Sequence, residues 1–340
     1  MYLILVCILS TLVFGEMPVQ QHGALRVDTL ENGAFLVNTQ GEPVQLRGMS
    51  THGLQWFDDL YTENAVQALA EGWNADVFRI SLYPLEGGYI HGDTARWRRR
   101  VDELVDFAGK YGMYAIIDWH MLNPGDPGHE EYGDHAAAFF EYMAQKHGQK
   151  EHVIFEICNE PNEHGLDYEV TWDEHIKPYA EDIIPRIREH SDNIIIVGTP
   201  KWSARPNHVI DSPLEYDNVL YSLHFYAASH TYKRGDSQWH YMDNLRSAAE
   251  AGIPVFVTEF GMQEYSGDGA NDFEASQHWL DSLAAYNVSW CNWNFSDDHR
   301  SGAVFTEGAV TNRSSADEFA DPDNMKEAGI WIFDRIRRRD

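Results

Sequence analysis

Two hydrophobic spacings alternate along this chain. Short, nearly continuous apolar runs occur at Val44–Arg47, Val77–Ser81, Tyr114–Asp118, Val153–Cys158, Asn193–Val197, Val219–Leu223, Val255–Thr258 and Ser289–Asn292. Runs of this length match strands buried on both faces. Between them lie amphipathic stretches at Asn64–Glu71, Arg96–Tyr111, Asp134–His147, Trp172–His190, Asp243–Ala251 and Glu274–Tyr286, with a closing one at Asn324–Arg337. The segment Lys201–Asn218 is the weakest helix, because Pro200, Pro206 and Pro213 sit at or inside its edges. Eight strands alternating with helices predict an α/β fold, a closed (β/α)8 TIM barrel in a single domain. Leu25–Thr39, with an Asn32-Gly33 turn signal, predicts a short N-terminal β-hairpin at the barrel bottom.

Length and charge agree with this picture. The chain has 340 residues, 43% of them hydrophobic, enough for one large barrel core. Its net charge of −29 repels nucleic-acid backbones and anionic membranes, so neither is an expected partner, and a soluble monomer is expected. The opening MYLILVCILSTLVFG is apolar but short for a bilayer span, with small residues near Gly15. It reads as a signal peptide over residues 1–15, although it lacks a positive start, and it implies secretion. Residues 16–340 then form the barrel domain. With no linker, repeat or low-complexity tract, an appended binding module is not expected. Cys7 would leave with the signal. Cys158 and Cys291 fall on the fourth and eighth predicted strands, across the barrel from each other, and are expected as buried free thiols. Of three N-x-S sequons, Asn287, Asn294 and Asn312, the last lies in a polar loop and is the best glycan acceptor.

Chemistry gathers at the strand ends. The fourth run closes on Asn159-Glu160 and the seventh on Glu259. In a closed parallel barrel these tips converge on one face, so two carboxylates would oppose each other across its mouth. Paired carboxylates are what hydrolysis of a glycosidic bond requires. Asn159 is placed to hold a sugar hydroxyl, Arg79 to keep Glu259 ionised, and Tyr226 to donate a hydrogen bond to Glu259. Glu156, in mid-strand, reads as a buried, paired group. His52, His120 and His224 mark three tips. They lack the spacing of metal-binding motifs, and no metal or other cofactor is expected. The other histidines, His129, His135 and His147 among them, read as surface residues. Trp56, Trp202 and Trp293 lie at tips, where flat rings suit sugar stacking. Trp119 has the opposite parity to His120 and should pack outward.

Taken together, EPVQLRGMSTHGLQW (Glu42–Trp56), WNADVFRISLY (Trp73–Tyr83), EGGYI (Glu86–Ile90), IIDWH (Ile116–His120), FEICNEPN (Phe155–Asn162), LHFYAASH (Leu223–His230), VTEFG (Val257–Gly261) and SWCNWNFSD (Ser289–Asp297) resemble a glycoside hydrolase family 5 cellulase over nearly the whole chain after Val19. The resemblance implies a TIM barrel with Glu160 as general acid/base and Glu259 as nucleophile. It implies a supporting shell of Arg79, His120, Asn159, His224 and Tyr226. Trp293 would stack a sugar near the cleavage point, and His52, Trp56, Tyr83 and Trp202 would line the cleft. The implied substrate is a β-1,4-glucan polysaccharide or oligosaccharide, cut internally with retention and without a cofactor. Mannan, xyloglucan and mixed-linkage glucan are the alternatives within the same chemistry. A retired sugar-binding protein is the alternative outside it, and the intact glutamate pair argues against that. Two departures stand out. Cys158 and Cys291 replace small residues, and Asp298, His299 and Arg300 stand where the family often has a lysine that contacts substrate.

Overall fold

The computed structural model describes residues 17–31, 33–230, 232 and 240–338. The expected signal peptide, Cys7 and Asn32 lie outside them. Two strands, β1 (Arg26–Leu30) and β2 (Gly33–Val37), form the expected antiparallel hairpin. Eight parallel strands follow: β3 (Arg47–Ser50), β4 (Val77–Leu82), β5 (Tyr114–Trp119), β6 (Val153–Glu156), β7 (Ile195–Val197), β8 (Val219–Tyr226), β9 (Val255–Gly261) and β10 (Ser289–Trp293). They close in the order β10-β3-β4-β5-β6-β7-β8-β9, a (β/α)8 barrel.

Strand parity sorts the barrel into layers. Val77, Tyr114, Ile116, Ile154, Ile196, Leu220 and Phe256 point inward near the strand starts and join one apolar cluster with Leu25, Leu36, Val44 and Leu46. The hairpin and the segment after it therefore plug the bottom. Further along the same inward face come Arg79, Asp118, Glu156, Ser222 and His224, all buried. Residues of opposite parity, such as Phe78, Ile80, Ala115, Ile117, Leu223 and Phe225, pack outward into the layer shared with the helices. Trp119 follows this rule, with its ring 5.2 Å from Phe139 and 5.3 Å from Tyr89.

The helices begin where side chains satisfy their first amides. Asp93 accepts from Arg96 N, Asp272 from Ala275 N and Thr171 from Glu174 N. The prolines break the segment after β7 into two short turns, Pro200–Ser203 and Pro206–Val209.

Some expected boundaries move. The first barrel strand is Arg47–Ser50 rather than Val44–Arg47, because Val44 N bonds Leu36 O at 2.8 Å and Pro43 bridges Val37. That stretch is held by the hairpin instead of by β4. The stretch from Trp172 opens as a π-turn and continues as a helix only over Lys177–Arg188. The last helix starts at Glu327, after a 3-10 turn at Pro322–Asn324. His147 is not a surface residue. It is fully buried, with Nε2 2.7 Å from Asp102 Oδ1. Cys158 and Cys291 are buried free thiols, and burial pushes both up in pKa. Asn294 is buried, whereas Asn312 lies exposed in its loop.

Gly48 shows how tightly the barrel is drawn. A Cβ there would lie 1.8 Å from the Val77 carbonyl oxygen, a backbone atom with no room to move. Gly48→Ala should therefore cost about 3 kcal/mol, the upper end of ordinary overpacking, measured by urea unfolding.

Candidate active site

Arg79 lies at the centre of the site, its side chain wholly excluded from solvent. Its Nε donates to Glu156 Oε2 at 2.7 Å, and Nη1 donates to Glu259 Oε2 at 3.0 Å. Nη2 donates to Asn159 Oδ1 at 2.7 Å and lies 3.0 Å from Asp118 Oδ2. One cation thus faces three carboxylates. Burial alone would lower the guanidinium's pKa, but Asp118, Glu156 and Glu259 outweigh burial and raise it. Glu259 is further fixed by Tyr226, whose hydroxyl donates to Oε1 at 2.5 Å.

A bulge in β9 brings two consecutive side chains into this layer. Ser222 pairs with Phe256, yet His224 pairs with Glu259, so β9 carries one extra residue over that interval. The register with β10 slips at the same place. Thr258 and Glu259 consequently both reach inward. Thr258 Oγ1 lies 2.6 Å from Glu156 Oε1 and 2.8 Å from His224 Nε2.

Glu160 follows β6 and opens onto the cleft. Its Oε1 lies 2.9 Å from His224 Nδ1. Burial raises its pKa well above the usual carboxylate range, and the charge of Glu259 adds to the rise. Burial pushes Asp118 and Glu156 up to about 7, opposed in each case by Arg79. His120 falls to about 3 through burial and then Arg79, and His52 falls to about 4 through burial. Both rings are therefore neutral at pH 7.

Aromatic rings wall the mouth. Trp293 stacks on His120 at 5.1 Å and 16°, and His120 meets Tyr83 at 4.3 Å. Trp56, 48% exposed, packs edge-on against Tyr83 at 4.9 Å. Trp202 is presented differently: Lys201, Trp202 and Ser203 all have positive φ (61°, 58° and 55°). A left-handed turn without glycine is unfavourable. It is tied down here by Trp202 N to Pro161 O at 2.9 Å and by the Ser203 hydroxyl donating to Asn159 O at 2.6 Å. The cleft so formed has a volume of about 770 Å³.

Every residue singled out from the sequence meets here. Glu160, Glu259, His52, Trp56, Tyr83, His120, Trp202, His224, Tyr226 and Trp293 line the cleft, with Arg79 and Asn159 directly beneath. The sequence reading left out Asp118, Thr258, Tyr241 and Tyr265, and its expectation that the other histidines are surface residues fails at His230, which is buried and lines the cleft. Asp118 shares its parity with His120, which lies 2.6 Å away, and that spacing is visible in IIDWH. Among the described residues, donor atoms of Glu160, His224 and Glu259 come within 4.8 Å of one another. A cation would have to compete there with Thr258, Arg79 and Tyr226, which already hold them.

Fold and site together define a (β/α)8 barrel that carries a carboxylate pair at the floor of an aromatic cleft. The family model described as cellulase (glycosyl hydrolase family 5) matches residues 37–299, and the chain belongs to that family. Endoglucanase MaCel5A of Microbulbifer sp. is 44% identical over 334 residues, covering 95% of this chain and 60% of that protein. Endoglucanase E-5 of Thermobifida fusca is 41% identical over 328 residues, covering 94% of this chain and 65% of that one. The chain thus spans about 60% of the first relative's length. Among solved structures, a thermostable, highly halotolerant GH5 cellulase from an Icelandic hot spring isolate superposes with a TM-score of 0.89 at 37% identity, covering 94% of this chain and 96% of that one. The catalytic domain of Thermobifida fusca Cel5A, solved as a Gln-for-Glu variant with cellotetraose, gives 0.83 at 40% identity, covering 95% of this chain and all of that one.

The raised Asp118 has a consequence for stability. Its carboxyl titrates near 7 when folded and near 4 when unfolded. The fold therefore favours its neutral form, a contribution that is full below about pH 4 and lost as pH rises through 7. Asp118→Asn cannot ionise and should flatten the fall in unfolding free energy across that window. Urea titrations at pH 5 and pH 7 would test this, and an unchanged difference would place the titration elsewhere.

Proposed function

We propose that this protein is a retaining endo-β-1,4-glucanase that cuts internal bonds of cellulose chains outside the cell. The observation that carries the reading is the approach of Glu160 and Glu259, with an oxygen of each inside 4.8 Å. Retaining pairs stand about 5–5.5 Å apart, whereas inverting pairs need about 6.5–9.5 Å to admit a water. The cellotetraose bound to the Thermobifida domain supports a glucan, and the apolar run at residues 1–15 accords with export.

On this reading Glu259 attacks the anomeric carbon. Arg79 holds Oε2 and Tyr226 holds Oε1, so the nucleophile is charged and oriented. Tyr226 keeps its proton, because burial and then the charges of Glu259 and Glu160 raise it well above 10. As the glycosidic bond breaks, Glu160 gives its proton to the departing oxygen. A glycosyl ester then occupies Glu259, and the negative charge that raised Glu160 is gone. Glu160 can now ionise and take a proton from the water that hydrolyses the ester. Asn159 is anchored by Arg79 and by its own Nδ2, which donates to Met121 O at 3.3 Å, a rigid amide beside the reacting sugar. Trp293, Trp56 and Trp202 supply stacking faces along the cleft.

Reducing-sugar release from carboxymethylcellulose and from galactomannan, measured in parallel, tests the assignment. Activity on the cellulose derivative is expected, and activity mainly on galactomannan would overturn the substrate. Glu259→Gln should lower turnover by a factor on the order of 10⁴ while leaving oligosaccharide binding intact. Products examined by NMR at early times should carry the β configuration; inverted products would sink the two-step route.

A further inference from the structure

A buried chain of polar groups runs from Glu160 to Glu156 through His224 and Thr258. His224 Nδ1 lies 2.9 Å from Glu160 Oε1, and Nε2 lies 2.8 Å from Thr258 Oγ1. Thr258 Oγ1 in turn lies 2.6 Å from Glu156 Oε1 and 2.6 Å from Ser222 Oγ. Glu156, Thr258 and Ser222 are fully buried and His224 is 2% exposed. Thr258 has a single proton to donate and three polar neighbours, so each choice along the chain fixes the next.

Two arrangements satisfy every donor and acceptor. In the first, Glu156 carries a proton and donates to Thr258. Thr258 donates to His224 Nε2, and Nδ1–H donates to Glu160 Oε1. Glu160 then keeps its own proton on Oε2, the oxygen left free for substrate. In the second, Glu156 is ionised and accepts from Thr258. His224 carries its proton on Nε2, and the bare Nδ1 must be met by a proton on Glu160 Oε1. The acid proton then points into the protein. Ser222 donates to Thr258 in both.

We propose that Glu156, acting through Thr258, sets which nitrogen of His224 is protonated and thereby which oxygen of Glu160 presents its proton. Glu156 and Thr258 are positioning residues, and the inference rests on Glu160 being the acid/base. Passing between the arrangements balances as one proton lost. The Oε2 proton of Glu160 leaves to the cleft, Nδ1–H moves to Oε1, the Thr258 proton moves to Nε2, and the Glu156 proton moves to Thr258. No bond to carbon changes. A carboxyl sealed inside the barrel thus titrates through the open one. The imidazole stays neutral throughout, since burial, then Arg79 and His120, hold its pKa well below 6.5.

The first arrangement also suits the second chemical step. Once Glu160 has given up its proton, Nδ1–H still donates to the carboxylate that must act as base. The reversal belongs near pH 7, where burial places Glu156. Among the described residues, the other ionisable groups facing this chain are Arg79 and Tyr83 from β4 and its end, Asp118 and His120 from β5 and its end, Cys158 just past β6, Tyr226 from β8, Tyr241 of the helix between β8 and β9, Glu259 from β9 and Cys291 from β10.

Two measurements test this. The first uses the wild-type protein with ¹⁵N-labelled histidine. The His224 ring, assigned by its loss in His224→Asn, should carry its proton on Nδ1 at pH 5.5 and on Nε2 at pH 8.5. A tautomer that does not change would overturn the proposal. The second is the pH profile of kcat/KM. Thr258→Val removes the link, so its alkaline limb should rise by about one pH unit relative to its own maximum, a tenfold change at the limb. Thr258→Ser should keep the wild-type limb. A Val variant with native circular dichroism and an unmoved limb would also overturn it. Glu160→Gln separates the two levels. Wild-type kcat/KM in that variant would remove the acid/base reading itself, whereas an inactive variant alongside a fixed His224 tautomer would remove only the relay.

Discussion

A guanidinium sealed inside a barrel must be matched by negative charge, or the fold loses more than hydrophobic burial returns. Arg79 meets that demand with three carboxylates drawn from three different strands, and with Asn159 just past the strand that carries Glu156. The result is over-compensation: more acid than base in one dry layer. Burial in that dry layer is what lifts Asp118, Glu156 and Glu160 into the range where a carboxyl can hold a proton near neutral pH, with neighbouring carboxylates adding to the rise at Glu156 and Glu160. Stability and acid–base chemistry here are two outcomes of the same arrangement. A well-packed apolar replacement of the cluster would leave nothing to titrate.

Much of this could be read from the residues. Continuous apolar runs ending in Asn-Glu-Pro and Thr-Glu-Phe-Gly placed both glutamates at strand tips, and the parity of IIDWH separated His120 from Trp119. The pairing of Glu156 followed from its position in mid-strand. What escaped was anything that depends on a break in parity. Strict alternation would send Thr258 and Glu259 to opposite faces. Only the extra residue in β9 brings both inside, and no residue type announces that bulge. The same holds for the left-handed turn at Lys201–Ser203, whose backbone is imposed by bonds to Pro161 and Asn159 rather than by a glycine. The first barrel strand was misplaced for a related reason. Val44 has strand-like character, but its amide is claimed by Leu36 of the hairpin. His147 was misread because its partner, Asp102, lies on another helix, where spacing along the chain gives no hint.

Of the departures from the usual family pattern, Cys158 and Cys291 are buried, whereas the segment 298–300 follows β10 and brings Arg300 to the cleft. His299 lies 2.8 Å and Arg300 3.5 Å from Asp298, which is itself 3.8 Å from His52, so this acidic residue is already engaged. Lys326 bonds the backbone carbonyls of Asp298 and Arg300 and fastens this loop to the start of the last helix. Differences in sugar preference among barrels of this kind can therefore arise in the loop after β10 without touching the charged layer beneath.

The closed floor of the barrel has a kinetic meaning of its own. With the hairpin and a mainly aliphatic layer filling the lower half, any molecule that resolves the ester of the proposed mechanism would have to come in through the mouth. That mouth is lined by the Trp202 ring among others. Water and the hydroxyl of another sugar therefore compete for one doorway, and the sugar has an aromatic face to rest on. On the proposed mechanism an ester on Glu259 would be open to either acceptor, so the partition between hydrolysis and transfer would be set at the entrance rather than by the carboxylates below.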